Sequence, residues 1–170
     1  MKKVFVILFL LIGLCAQGVV LKGGVHYTVE SAREEAFSRV KYKISMDEHK
    51  KYLKDPGFSL DKNGKPKIRT FGRDVTFFSD GSYGIQLNQI IYYYDSKGKL
   101  DGLSYSIGDI YPKLSVKYDI NGNLISVIFS VNKNESYMYE ANKKYLGRWI
   151  GKNFYEPDGQ VSLKRTNWKE

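Results

Sequence analysis

Few residues in this chain could do chemistry, and their spacing limits what that chemistry could be. The histidines are His26 and His49, and the only cysteine is Cys15. A zinc site needs three or four His, Cys or acidic ligands at short spacing, and a hydrolytic triad needs a histidine between a nucleophile and a carboxylate. Neither pattern occurs, and no glycine-rich phosphate loop leads into a helix. The expectation is therefore no catalytic residue, no metal and no cofactor. Asp80, Asp95, Asp119 and Glu156 remain as carboxylates that in pairs could hydrolyse the glycosidic bonds of a wall polymer. Each of them occupies a turn, where an acidic side chain accepts hydrogen bonds from its own backbone, so turn chemistry explains them without catalysis.

The turns that hold these carboxylates recur along residues 75–164. Asp95-Ser96-Lys97-Gly98 and Asp119-Ile120-Asn121-Gly122 have Asp at the first position and Gly at the fourth, and Glu156-Pro157-Asp158-Gly159 has proline at the second. These are the preferences of a type I turn closed by a left-handed bulge glycine. In register the fourth positions are Gly64, Gly81, Gly98, Gly122, Lys143 and Gly159, so one unit replaces glycine by lysine. In such a hairpin the residue four before the glycine lies opposite the residue two after it. The resulting couples are Leu60 with Pro66, Phe77 with Tyr83, Tyr94 with Leu100, Tyr118 with Leu124, Tyr139 with Tyr145, and Tyr155 with Val161. One face of the sheet is thus aromatic and aliphatic, and a slip of one residue would exchange the faces. One step outward the same count sets Thr76 opposite Gly84, Tyr93 opposite Asp101, Lys117 opposite Ile125 and Phe154 opposite Ser162. Leu103, Tyr105 and Ile107 then follow Leu100 out of phase, which calls for a bend or a strand buried on both sides.

Gly147-Arg148-Trp149 followed by Phe154-Tyr155-Glu156-Pro157-Asp158-Gly159-Gln160-Val161 resembles bacterial repeats of the second MORN type (membrane occupation and recognition nexus). Tyr93-Tyr94 leading to Gly98-Lys99-Leu100, and Tyr118 leading to Gly122-Asn123-Leu124, carry part of the same pattern. The resemblance covers about half the chain. It implies an antiparallel β-meander serving as an interaction surface. Some members of that family are catalogued as antitoxins, a role that an export signal opposes.

An apolar sheet face needs a cover. Val29, Ala32, Ala36, Phe37 and Val40 recur at helical spacing after Thr28 and the capping-box pattern Ser31-Ala32-Arg33-Glu34. A second short helix is expected from Ser45-Met46-Asp47-Glu48 through Tyr52 and Leu53, stopped by Asp55-Pro56-Gly57. The expected fold is α+β: an N-terminal amphipathic helix or helix pair packed on a twisted antiparallel β-meander of five or six hairpin repeats, with the helices over the sheet's N-terminal part.

The first residues read as a leader: Lys2 and Lys3, an apolar run over residues 4–14, then Ala16-Gln17-Gly18 at a cleavage site. A rival lipoprotein reading would lipidate Cys15, but Leu14 stands where that signal wants a small residue. The organisation is then a signal peptide at 1–18, a helical segment at 19–57 and hairpins at 58–170, with no transmembrane span once the leader is removed. The expected location is periplasm, cell surface or medium. Formal charge is +9 over the whole sequence. It is distributed as a basic N-terminal part, a slightly acidic middle and a basic end, which serves solubility and could attract an anionic surface. Nucleic acid is set aside because the aromatic-rich middle is acidic.

Two function classes fit best. The first is a non-enzymatic binding module of the envelope or extracellular space, with a protein or envelope component as partner. Its candidate anchors are Tyr93, Tyr111, Trp149 and Trp168, although core packing is the commoner role for any one strand aromatic. The second is a wall-polymer hydrolase. An antitoxin-like neutraliser ranks third.

Overall fold

The computed structural model describes residues 26–54, 59–60, 66–67 and 75–165. The leader with Cys15, the stop at Asp55-Pro56-Gly57, the turn at Gly64 and Trp168 lie outside the described residues. Helix α1 (Val29–Ser38) begins at Thr28, whose hydroxyl accepts the Ser31 N–H at 3.1 Å while the Ser31 hydroxyl accepts the Thr28 N–H at 2.9 Å. The capping box is therefore Thr28 with Ser31, one turn earlier than the Ser31/Glu34 pattern. Ala32 and Ala36 are fully buried beneath the helix, and Val29, Phe37 and Val40 flank them.

The expected helix pair is corrected to one α-helix and a 3-10 helix at Asp47–Tyr52. This piece is held by i→i+3 bonds, His49 N–H to Met46 O at 3.0 Å and Leu53 N–H to Lys50 O at 3.2 Å. Six residues are too few for a stable α-helix, and the tighter form returns the chain to the sheet at once.

Strands β1 (Ser59–Leu60) and β2 (Pro66–Lys67) pair by themselves as a two-stranded ribbon. The next ten strands form one antiparallel meander in sequence order: β3 (Val75–Phe77), β4 (Tyr83–Leu87), β5 (Ile90–Tyr94), β6 (Leu100–Ile107), β7 (Lys113–Asp119), β8 (Leu124–Ser130), β9 (Glu135–Glu140), β10 (Tyr145–Ile150), β11 (Asn153–Tyr155) and β12 (Val161–Lys164). The fold is thus one open sheet plus a ribbon rather than five or six equivalent hairpins. The repeated turn recurs at one end of the sheet only, and the connections at the other end differ from one another.

The repeated turns have the expected backbone. Gly81, Gly98, Gly122 and Gly159 have φ between 75° and 85°, and Lys143 takes the same place at φ 70°. All six couples given by the turn spacing are observed as cross-strand partners. The outward neighbours are corrected in three cases: Tyr93 faces Gly102, Lys117 faces Ser126 and Phe154 faces Leu163. In each the strand after the turn carries a β-bulge, at Asp101, Ile125 and Ser162, and β10 has one at Leu146. The bulge inserts one residue, so Leu103 returns to the face of Leu100.

Residues 26–54 cross the apolar face from β9 to β5. Helix α1 packs over β8 and β9, not over the sheet's N-terminal part as expected. The hydroxyls of four tyrosines in the sheet hold the segment in this placement, because each of the four donates to one of its backbone carbonyls. Tyr137 reaches Tyr27 O and Tyr139 reaches Val29 O, both at 2.8 Å. Tyr118 reaches Lys41 O at 2.8 Å and Tyr94 reaches Tyr52 O at 3.0 Å. The segment also pairs by backbone with the first residues after two turns, Leu124 N–H to Tyr42 O at 2.9 Å and Leu100 N–H to Leu53 O at 3.1 Å.

Candidate functional site

The pleat sends alternate residues of each strand to opposite faces, and the faces carry different chemistry. Toward the N-terminal segment point Tyr92, Leu103, Val116, Tyr118, Val127 and Tyr139, all buried. Burial withholds water from the tyrosine oxygens and so disfavours their ionisation. The Tyr92 hydroxyl is pushed up to about 12, with Tyr52 adding to the effect, and Tyr137 to about 12, with Glu135 adding. Tyr118 and Tyr139 are raised by the same cause. His49 belongs to this face as well, its Nδ1 lying 2.8 Å from the Tyr92 hydroxyl.

The opposite face carries hydroxyl, amide and amino groups. One cross-strand row reads Gln86, Ile91, Ser104, Lys117, Ser126 and Glu140, one residue per strand from β4 to β9. A neighbouring row brings Ser106 beside Ser115 and then Ile128 and Met138. Among the described residues no helix packs on this face. Two clefts open on it. The first, of about 570 Å³, lies near the repeated turns between Phe78, Tyr93, Asp101 and Lys117. The second, of about 380 Å³, lies farther along the same strands between Gln86, Ser104, Ser106, Lys113 and Ser115. Tyr93 lines the first and Ser104 the second, and the hydroxyls of these two residues are 3.0 Å apart.

The sequence-derived anchors are not brought together. Tyr93 is half-buried on the open face, with Lys117 Nζ 4.4 Å from its ring centre and the Phe78 ring 6.4 Å away. Trp149 lies on the same face of β10, packed on Phe154 at 5.2 Å with the Arg165 guanidinium 4.1 Å over its ring. Five strand steps, about 24 Å, separate β5 from β10. Tyr111 sits in the loop after β6, 44% exposed, with Lys113 Nζ 4.8 Å from its ring centre. Each described anchor is thus capped by a cation, an arrangement that stabilises it where it stands. The residues that sequence reasoning missed are Gln86, Ser104, Ser115 and Lys117. The signal for the last three was the strict alternation in Leu103-Ser104-Tyr105-Ser106-Ile107 and Leu114-Ser115-Val116-Lys117-Tyr118.

The turn carboxylates serve their turns. Asp95 Oδ1 accepts the N–H groups of Lys97 and Lys99, and Asp119 Oδ1 those of Asn121 and Asn123. Partial burial works against ionisation of Asp119, yet hydrogen bonds from Asn123 and Asn121 outweigh it and hold the carboxyl below its ordinary range. The Ser82 hydroxyl and N–H do the same for Asp80, and Glu156 Oε1 accepts the Ser162 hydroxyl at 2.6 Å. No group of three metal-ligating side chains occurs among the described residues, and no helix there is long and apolar enough to cross a membrane.

No family model matches the chain. Neither does any curated protein or solved structure.

Proposed function

We propose that this chain is an exported, non-enzymatic binding module of the bacterial envelope or extracellular space, a repeat protein of the second MORN type whose recognition surface is the open face of the ten-stranded sheet. One observation carries the reading: the strands place most of their buried apolar side chains on the face covered by residues 26–54, and the other face has two clefts lined in part by hydroxyl, amide and amino groups. Packing alone does not require that second face to be grooved or hydroxyl-rich. The leader pattern at residues 1–18 supports an envelope partner, and the basic chain end at Lys164 and Arg165 supports steering toward an anionic surface.

Retention of the full-length protein by isolated envelopes of the source cell tests the proposal. Wild type is retained, and Lys117→Glu combined with Ser104→Glu releases it while the circular dichroism spectrum stays that of the folded chain. Equal retention of the two proteins contradicts it.

A further inference from the structure

We infer that the groove formed by the two clefts binds a neutral oligosaccharide chain, an inference that rests on the open face being the recognition surface. Size is the first argument. The clefts, of about 570 Å³ and about 380 Å³, are each within the range of small-molecule sites. The first is walled by Tyr93 and the second by Ser104, whose hydroxyls are 3.0 Å apart, so the two follow one another along β5 to β7 from the turn end toward Ser106. Gly102 is the partner of Tyr93. From Gly102 to Ser106 is roughly 13 Å of strand, so an extended chain fits better than a single compact ligand.

The second argument is hydrogen-bonding character. Gln86, Ser104, Ser106 and Ser115 each both donate and accept, as sugar hydroxyls do, while Asp101 offers only acceptors and Lys117 only donors. Phe78, 43% exposed at the mouth of the first cleft, supplies an apolar wall for the C–H face of a sugar ring.

Charge and backbone pairing exclude the competing occupants. The first cleft sets Asp80, Asp95 and Asp101 against Lys117, so a polyanion would meet more negative than positive charge there. Lys113 in the second cleft is balanced by Asp109. An extended peptide binds a sheet by adding a strand at an edge, and β4 to β7 are paired on both sides. A neutral polyhydroxylated chain is the occupant left.

The full-length protein is applied to an array of neutral oligosaccharides (glucose, galactose and N-acetylglucosamine series) and acidic ones (uronic acid series). Neutral chains are expected to bind, with at least tenfold weaker binding for Phe78→Ala and for Asp101→Asn, each measured on protein whose circular dichroism spectrum is that of the folded wild type. Binding confined to the acidic series overturns the inference. So does an empty array while envelope retention remains sensitive to Lys117→Glu with Ser104→Glu, and in that case the recognition face survives and only its ligand class is wrong. An empty array with retention insensitive to those changes overturns both.

Discussion

Along β7, Leu114, Val116 and Tyr118 are buried under the N-terminal segment, whereas Lys113, Ser115 and Lys117 stay half exposed one residue away. The same strand therefore belongs to two surfaces with different work. On the covered face the tyrosines act as ties: their rings fill the core and their hydroxyls hold carbonyls of the N-terminal segment. On the open face no such ties are needed, and hydroxyl and amide groups are left for a ligand. The difference teaches that the tyrosines of the apolar face report on how the cover of this β-meander is fastened.

The comparison can be broken first by alkali, which acts on several buried hydroxyls at once. Unfolded tyrosines ionise near 10, while Tyr92 and Tyr137 keep their protons to about 12. Between these values the unfolded chain has lost protons that the folded chain retains, so stability falls as pH rises. The part of the tyrosinate absorbance that comes from the buried rings should then appear together with unfolding. Complete tyrosinate formation in a chain that stays folded would contradict the role of these hydroxyls.

Neighbouring residues on opposite faces give the next test. Leu103 is fully buried, and Ser104 points to the open face. Leu103→Ala should cost about 3 kcal/mol, whereas Ser104→Ala should change stability by no more than about 0.5 kcal/mol. Urea midpoints measure both. Two glycines with nearly the same backbone then separate the fastening from the turn. Gly122 (φ 78°) lies against the Ile44 carbonyl, so an added Cβ would collide with backbone, while Gly159 (φ 85°) has open space around it. Gly122→Ala should cost about 3 kcal/mol and Gly159→Ala about 1 kcal/mol, and equal costs would mean that the segment is not held at that turn. The smallest effect has the opposite sign. Lys143 is a non-glycine residue at φ 70°, and its ammonium lies over the Phe37 ring. Lys143→Gly relieves the backbone and loses the ring contact, so the net gain in the urea midpoint should be about 0.5 kcal/mol.

The strand couples were legible because a turn with glycine at its fourth position fixes which residues meet, and Tyr94 with Leu100 follows from counting. The bulges at Asp101, Ile125, Leu146 and Ser162 were not, since these, unlike the glycine bulge that closes most of the turns, make no demand on residue type. Only the phase change from Leu100 to Leu103 betrayed one of them. Thr28 and the stripe through Ala32 and Ala36 announced α1, but whether residues 47–52 make an α-helix or a 3-10 helix depends on how soon the chain must return to Leu100, a tertiary requirement. For the site, aromatic type pointed to Tyr93, Tyr111 and Trp149, yet Lys117, Lys113 and Arg165 reach them only through the fold. Serines at alternate positions were visible in the sequence, but the face they share became a groove only once the register was set.

Lys117 and Tyr118 are consecutive in β7 and point to opposite faces, so retention of their variants by isolated envelopes tests the division most directly. The Tyr118 hydroxyl is one of the ties to the N-terminal segment. Tyr118→Phe should lower stability by about 1 kcal/mol and is predicted to leave retention of the folded protein unchanged. Lys117→Ala is predicted to lower stability by only about 0.5 kcal/mol, the loss of its contact with the Tyr93 ring, and to reduce retention. Equal retention of the two variants, or loss with Tyr118→Phe alone, would contradict the assignment of binding to the open face.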